Sequence, residues 1–445
     1  MRKLKTALGS YILSAVLFLT GCADKGTLGQ SDEGENNSEH SITTGETPDS
    51  GAEVKLSPIT AVKESFDEEV DKIKSRKFDN ISFADLKSYS FPNVSEITTY
   101  KAVSHELGGG LSPEQFFDNF AVYCNYLEPG KYTRDKIAEI CWVFGNFDLD
   151  PNGAGGPLNY NDFVELNKDG DFLISHICIL NPDLYLDYFG HSAPGWYSGG
   201  RIKKLLGIES DRDPAHYSIV DNEKHPIVRF TENVNSTDVY HLIDGDISIA
   251  DAAKKANELL ADMARQCDDG EYQREVCAVN VVDIDEGNYG YIFLITDVVD
   301  GIKYAYADAR GSIGLGYGFS YAEENGNAGN ADELEMVRSD ELLSFHTTNG
   351  WKERTPVETY DSIVPLNIAA ENVSALLSRE MNFKAKSVTL VYDIKGGTDD
   401  LVPCWRFLLE NTAKREQGYH VYVNALTGEA RVKCIQDVDY SYEYD

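Results

Sequence analysis

Apolar residues recur at three- and four-residue spacing in two stretches of the chain, the pattern of a helix that buries one face. The first stretch covers residues 249–263 and follows Ser248, a residue type suited to the N-cap position. The second stretch covers residues 366–381. We predict an amphipathic helix for each. Their apolar positions are Ile249, Ala252, Ala253, Ala256, Leu259, Leu260, Met263, Leu366, Ala369, Ala370, Val373, Leu376, Leu377 and Met381.

Short runs rich in β-branched and aromatic residues follow each predicted helix and indicate strands. Turn residues such as Asp300-Gly301 and Thr427-Gly428 separate these runs. Regions 236–322 and 362–436 are therefore each predicted to be a small α+β unit, with one helix packed on an antiparallel sheet. The predicted strands are 276–284, 289–296, 302–307, 387–394, 401–410, 419–425 and 430–435.

The two regions match each other at nearly constant offsets, which favours an internal repeat. The matching segments are Tyr291-Ile292-Phe293-Leu294 with Trp405-Arg406-Phe407-Leu408, Tyr304-Ala305-Tyr306 with His420-Val421-Tyr422, and Leu259-Leu260 with Leu376-Leu377. In the second copy, residues 419–423 alternate between apolar and more polar side chains. This alternation predicts a sheet with one covered face and one free face.

Two segments of the second copy, 401–407 (LVPCWRF) and 422–429 (YVNALTGE), resemble the PepSY-like modules of bacterial surface lipoproteins. The resemblance covers about 75 residues and extends more faintly over residues 240–310. It implies small helix-plus-sheet units that bind a protein or peptide, such as a peptidase, and it implies no catalytic residue. We interpret Pro403 as an edge-strand proline, Trp405 as a core aromatic and Gly428 as a turn glycine.

The region before these units, residues 59–232, is predicted to be an N-terminal α+β domain. Ser112-Pro113 begins a predicted helix that ends before Pro129-Gly130. A second helix is predicted over 133–144 and a strand over 171–180. A glycine-rich run contains Gly311, Gly314, Gly316 and Gly318, without the sequence context of a phosphate-binding loop. Residues 323–361 follow this run and are predicted to be a linker. Residues 437–445 are predicted to be an acidic tail.

The N-terminus begins with Arg2, Lys3 and Lys5, and then has no charge over residues 7–21. Fifteen such residues are too few to span a bilayer but suit the core of a signal peptide. The stretch ends in Leu19-Thr20-Gly21-Cys22, which resembles the bacterial lipoprotein box. The resemblance implies that residues 1–21 are removed and that Cys22 is lipidated. Residues 22–58 then form a flexible acidic tether, and the protein is held at the extracytoplasmic face of the cell membrane by acyl chains.

Charge limits the possible partners of the chain, and the cysteine count limits its possible disulfides. The chain has 74 acidic and 40 basic residues, a net charge of −34, which opposes nucleic-acid binding and adsorption on anionic lipid. Seven cysteines remain after Cys22, so a fully paired disulfide framework is excluded. The sequence leaves two pairings open, Cys267 with Cys277 and Cys404 with Cys434.

Residues 148–153 (DLDPNG) resemble the first half of an EF-hand calcium loop. Pro151 and Gly155 depart from that pattern, and Asn159 stands where a bidentate Glu belongs. A solvated acidic loop is the favoured interpretation of Asp148 to Gly153, and a loose calcium site is the alternative.

The sequence has none of the HExxH, GxSxG or P-loop motifs, its nine His are scattered, and no motif indicates a cofactor. We therefore expect a protein that is not an enzyme and that binds a protein or peptide partner through the PepSY-like units, by strand addition at a free face or edge. One alternative is a solute-binding lipoprotein that captures a small ligand near His191, Trp196 and Tyr197. A second alternative is an extracellular hydrolase, which would need distant His, Asp or Glu residues to converge.

Overall fold

The computed structural model describes residues 55–103, 113–140, 142–145, 174–181, 184–189, 196–200, 226–266, 273–285, 287–305, 332–348, 353–377, 379, 381–394, 400–412, 418–434 and 443–444. Helices pack on mostly antiparallel sheets in these ranges, so the fold class is α+β, as the sequence predicts. None of the described helices combines the length and the apolar character that crossing a bilayer requires.

The helices and strands of the described residues are numbered separately in chain order. The helices are α1 (Ile59–Glu64), α2 (Phe66–Ser75), α3 (Pro113–Leu127), α4 (Arg134–Ile140), α5 (Ile249–Gln266) and α6 (Leu366–Leu376). The strands are β1 (Ser57–Pro58), β2 (Ile81–Ser82), β3 (Ser88–Ser90), β4 (Ile97–Val103), β5 (Trp142–Gly145), β6 (Ile174–Asn181), β7 (Leu184–Phe189), β8 (Trp196–Gly200), β9 (Ile227–Thr231), β10 (Val239–Leu242), β11 (Gly245–Ser248), β12 (Gln273–Asp285), β13 (Asn288–Val299), β14 (Ile302–Lys303), β15 (Asp332–Met336), β16 (Ser344–Thr348), β17 (Glu353–Tyr360), β18 (Ser362–Ile363), β19 (Phe383–Ile394), β20 (Asp400–Asn411), β21 (Gly418–Asn424), β22 (Ala430–Cys434) and β23 (Glu443–Tyr444).

Most of these strands belong to two sheets. The large sheet has the order β23-β9-β12-β13-β15-β16-β8-β7-β6-β5, with β14 beside the end of β13. The small sheet is built on β19 and β20, which pair along their length. On one side of β20, β21 pairs with β20 and β22 pairs with β21. Strand β4 pairs with the first two residues of β20, and β17 pairs with β4. The pairing is antiparallel except for β2 and β3 on β19, and β23 on β9.

Each sheet carries one of the predicted helices. In the first unit, α5 packs on β12 and β13, and its apolar stripe shares a buried cluster with Tyr291 and Phe293. In the second unit, α6 packs on β19 to β22, and its stripe shares a cluster with Trp405 and Phe407. The predicted strands of both units correspond to β12, β13, β14, β19, β20, β21 and β22, although β14 is shorter than predicted.

One hydrogen bond occurs in both units at equivalent positions. In the first unit, the hydroxyl of Tyr291 donates to the carbonyl of Ile247, 3.1 Å away and two residues before α5. In the second unit, Nε1 of Trp405 donates to the carbonyl of Val364, 2.8 Å away and two residues before α6. Both aromatic side chains are fully buried. The same contact therefore ties the start of each helix to the central strand of its sheet.

The chain pairs across the domain boundaries that the sequence suggested. Strands β1 to β4, within residues 57–103, pair with β18, β19, β20 and β17, so they belong to the layer of the second unit. This differs from a separate N-terminal domain over 59–232. Such pairing is long-range, and the short strands involved leave little local signal in the sequence.

Three further segments also differ from their predictions. The linker predicted over 323–361 contains β15, β16 and β17, and the tail predicted over 437–445 contains β23, which pairs with β9. The helix predicted over 133–144 ends at Ile140, and Trp142–Gly145 forms β5. Aromatic and β-branched residues in 142–144 favour the extended conformation.

Candidate partner-binding edge

The face of the second unit that was predicted to be free is covered in the structure. By strand alternation, Cys404, Arg406, His420 and Tyr422 point away from the helix α6. Each is only 2–3% exposed. The prediction of a free face is therefore wrong, because the first unit packs against these side chains.

A buried ion pair joins the two units across this covered face, which we call the joint. Glu232 follows β9 in the large sheet, and its carboxylate lies 2.6 Å from the guanidinium of Arg406 in the small sheet. The two side chains are 6% and 3% exposed. Because desolvating both charges is expensive, the pair persists only if the two sheets hold it in place.

Residues just after β14 cover the same face of the second unit. The amide of Ala305 donates to the carbonyl of Tyr392 over 2.7 Å, and its side chain packs on Val391, Cys404 and Tyr422. Burial raises the pKa of Tyr422 far above its ordinary value, and does the same to Tyr304. The hydroxyls therefore stay neutral, as expected of an interior from which water is largely excluded.

With this face covered, a partner strand would have to bind at a sheet edge, and the described edges differ in how open they are. Strand β9 is covered by β23 at Arg229 and Phe230. Strand β17 contains Pro356 and a register shift between Pro356 and Glu358, which places Val357 60% exposed. A proline and a bulge are features that prevent an edge strand from pairing. Strand β22 has neither, and within the described ranges it pairs with β21 alone.

The turn before β22 determines which of its backbone groups face outward. The amide of Gly428 donates to the carbonyl of Asn424, and the amide of Asn424 donates to the carbonyl of Glu429, both over 2.8 Å. Gly428 has a φ of 75°, which suits glycine. This is the pattern of a glycine bulge, in which Asn424 and Glu429 form a hydrogen-bonded pair.

Hydrogen-bonded and non-bonded pairs alternate along an antiparallel ladder. Counting from the Asn424–Glu429 pair, Arg431 and Tyr422 form a bonded pair, and Arg431 directs its N–H and C=O toward β21. Ala430 and Val432 are in non-bonded pairs, so their N–H and C=O groups point away from the sheet. These outward groups are the hydrogen-bonding positions that an added strand would use.

One flank of α6 lies beside this edge. Asn372 donates from Nδ2 to the carbonyl of Gly428 over 2.8 Å, which fixes the flank that carries Ile368, Asn372 and Leu376. The opposite flank contacts the chain around the end of α2, where Arg76 pairs with Glu371. Ile368 and Leu376 are only partly buried against the core. The apolar core of the second unit is thus incompletely covered along the edge of β22.

The other side of β22 carries a cation. The guanidinium of Arg431 pairs with the buried carboxylate of Asp393 and lies 5.7 Å from the centre of the Tyr422 ring. The Arg431 side chain remains 31% exposed. The edge therefore has an apolar side beneath α6 and a cationic side opposite.

Most residues singled out by sequence for chemistry lie outside the described residues. These are Cys22, the possible calcium loop Asp148 to Gly153, His191, Cys267 and the glycines of 311–318. Trp196 and Tyr197 form part of β8, where the backbone alone is described. Among the side chains that the structure describes, no three His, Cys, Asp or Glu residues cluster as metal ligands would.

The cysteines whose side chains the structure describes, Cys124, Cys277 and Cys404, are buried thiols, so neither Cys277 nor Cys404 forms the disulfide that the sequence left open. Cys404 lies opposite Asn424 on β21, while Cys434 lies opposite Tyr419, five residues further along the ladder. That offset is too large for a disulfide. Burial raises the pKa of the Cys277 thiol to about 12, which keeps it protonated and unreactive.

The three residues of the resembling segments have structural roles. Trp405 is a core aromatic and Gly428 a turn glycine, as predicted. Pro403 is not on an edge strand, because β20 has neighbours on both sides. It lies where β20 passes from β4 to β21, and its carbonyl accepts the amide of Ala425 over 2.8 Å. At the end of the β21 ladder a missing N–H costs little.

Sequence reasoning predicted β22 but missed the importance of its edge. The signal was present in Thr427-Gly428, because a glycine bulge fixes which residues of the following strand face outward. The openness of β22 depends on what the rest of the chain leaves uncovered, and no local pattern encodes that.

No protein-family model matches this chain, and no curated protein is similar to it in sequence. Among solved structures, an uncharacterized protein from Eubacterium rectale ATCC 33656 aligns with a TM-score of 0.42 and 13% sequence identity. The alignment covers 82% of this chain and 98% of that one.

Proposed function

We propose that this protein is a lipid-anchored, extracytoplasmic binding protein without catalytic activity, which captures an extended segment of another protein at the edge of β22. The observation that carries the proposal is the outward direction of the Ala430 and Val432 backbone groups on a strand that, within the described ranges, pairs on one side only. Strand addition supplies affinity through main-chain hydrogen bonds.

The contrast with the other described surfaces supports this choice of site. The joint between the units buries polar and ionisable side chains that could otherwise contact a ligand, namely Arg406, His420 and Tyr422. Its thiols are buried as well, which disfavours nucleophilic catalysis there. The likeness of the second unit to PepSY-like modules favours a protein or peptide as the partner.

A pair of substitutions at Val432 tests the binding site. Val432→Pro removes the outward N–H but no hydrogen bond to β21, because Val432 is in a non-bonded pair. Val432→Thr keeps the N–H and nearly the same shape. We expect tagged full-length protein to capture a partner from detergent-solubilised membranes in the wild-type and Val432→Thr forms, and to lose it in Val432→Pro. Equal melting temperatures would show that both variants fold. Undiminished capture by Val432→Pro would contradict the proposal.

The anchor requires a separate test at Cys22. We expect cells fed an alkyne-labelled fatty acid to label the wild-type protein and to leave Cys22→Ala unlabelled. A wild-type protein that carries no label would contradict the anchoring part of the proposal and leave the binding edge untouched.

A further inference from the structure

The two sides of β22 would place different requirements on a strand added beside it. Side chains of neighbouring strands continue the same two faces, so a partner residue lies beside either Val432 or Arg431. Val432 and Ala430 pack on the core below α6, and both are only partly buried. Arg431 lies on the opposite face with Asp393 and Tyr422.

On the side of α6, the partner would complete an apolar surface. Ile368 and Leu376 on the helix and Val432 on the strand are all partly buried members of the same core. Asn372 holds the helix to the turn at Gly428, so the spacing between helix and strand is fixed. Large apolar side chains at alternate partner positions would remove these groups from water.

On the opposite side, charge favours a carboxylate. Basic residues are scarce in this chain, 40 against 74 acidic ones, yet two of the five residues of β22 are basic, Arg431 and Lys433. The two residues occupy alternate positions of the strand, and the Arg431 side chain lies on the face opposite α6. Opposite charges on adjacent strands stabilise pairing, whereas like charges oppose it.

We infer that the segment bound by β22 alternates large apolar with acidic side chains, the apolar ones lying beneath α6 and the acidic ones beside Arg431. This inference rests on the proposed function, since it describes the partner of the same edge. The occupant is a strand of another protein, and its register on β22 is set by the outward groups of Ala430 and Val432.

Three fluorescent seven-residue peptides test the inference by anisotropy with the full-length protein in detergent. One is acetyl-Val-Glu-Val-Glu-Val-Glu-Val-amide, and the second has Gln in place of Glu. The third has the same composition as the first, but its Val residues and its Glu residues are grouped in separate blocks and do not alternate. We expect the alternating acidic peptide to bind about fivefold more tightly than the Gln peptide at low salt, the scale of an exposed ion pair. The block peptide should not bind, and Val432→Pro should abolish binding of the first two.

The outcomes separate the two proposals. Equal binding of the Glu and Gln peptides, both lost in Val432→Pro, would overturn the acidic requirement and support strand addition. Failure of both alternating peptides, beside a captured partner that Val432→Pro releases, would overturn the inferred pattern while the proposed function stands. Peptide binding that Val432→Pro leaves unchanged would contradict both proposals.

Discussion

The two units share a helix, a central strand pair and the hydrogen bond from an aromatic ring to a carbonyl two residues before the helix. They differ in how their sheets continue. In the first unit, β13 pairs with β15 in the sheet, and β16 and β8 extend the large sheet further. In the second unit, β20 is followed by β21 and β22, where the described sheet ends.

This difference separates what the repeated pattern specifies from what it leaves open. The shared contacts all lie between a helix and its own sheet, and short sequence segments encode them. The continuation of each sheet depends on distant parts of the chain, such as β8 in the first unit and β4 in the second. Two units with similar cores can therefore differ at their edges, and within the described ranges the second unit has the open edge.

The largest expected effect is at the ion pair that joins the units. Arg406→Met leaves the buried carboxylate of Glu232 without this cation, which should lower the free energy of unfolding by about 3–5 kcal/mol. Urea unfolding of the full-length protein measures the effect. The double variant Arg406→Met with Glu232→Leu should recover most of the loss. A single variant as stable as the wild type would show that the units are not joined at this pair.

Loss of either of the two equivalent aromatic contacts should lower the free energy of unfolding. Trp405→Phe removes the donor to Val364 and some ring volume, for a loss of about 2–3 kcal/mol, and Tyr291→Phe removes the donor to Ile247, for about 1 kcal/mol. The same urea experiment measures both. Tyr289→Phe, a partly buried ring on β13, is the control and should change stability by less than about 0.5 kcal/mol. Loss in one unit alone would break their equivalence.

A polar residue in the first unit should be dispensable for stability. Asn280 is fully buried on the face of β12 away from α5, and its amide has no hydrogen-bond partner among the described residues. Asn280→Val removes that desolvated amide, so we expect stability to rise by about 1 kcal/mol. The melting temperature measures the change, with Asn280→Asp as the opposite control. A loss of stability in Asn280→Val would contradict this prediction.

The smallest effect concerns a surface contact of the first unit. Burial acts to raise the pKa of Asp244, but hydrogen bonds from the amide and hydroxyl of Ser339 outweigh it and hold the pKa below its usual range. A lowered pKa stabilises the fold above the unfolded-state pKa, and this contribution is lost as pH falls through the folded-state pKa. Asp244→Asn should therefore cost less than about 1 kcal/mol at pH 7, and the difference should shrink below about pH 4. A difference that grows in acid would contradict the assignment.

The sequence predicted most where structure depends on local pattern. The stripe of α5 and the strands β12, β13, β20 and β21 follow from apolar spacing and turn residues within each segment. The stripe of α6 extends in sequence to Met381, yet the helix ends at Leu376, since Leu377 adopts an extended conformation. Met381 still contacts the core from outside the helix.

The sequence predicted least where distant segments meet. His420 and Tyr422 alternate with apolar neighbours as exposed residues do, but Glu232 and Ala305 come from elsewhere in the chain to cover their face. The pairing of β4 with β17 joins residues at least 250 positions apart and has no local signature. The candidate edge was predictable as a strand, and its outward groups as a consequence of the Gly428 turn, whereas its openness was not.

Amide hydrogen exchange at single-residue resolution along β22 tests the central claim most directly. In the free protein, the amide of Arg431 should exchange slowly because it bonds to β21, while the amides of Ala430 and Val432 should exchange fast. When the partner is captured, the account predicts that Ala430 and Val432 become protected and that Arg431 changes little. Fast exchange at Ala430 and Val432 in the complex would contradict strand addition at this edge.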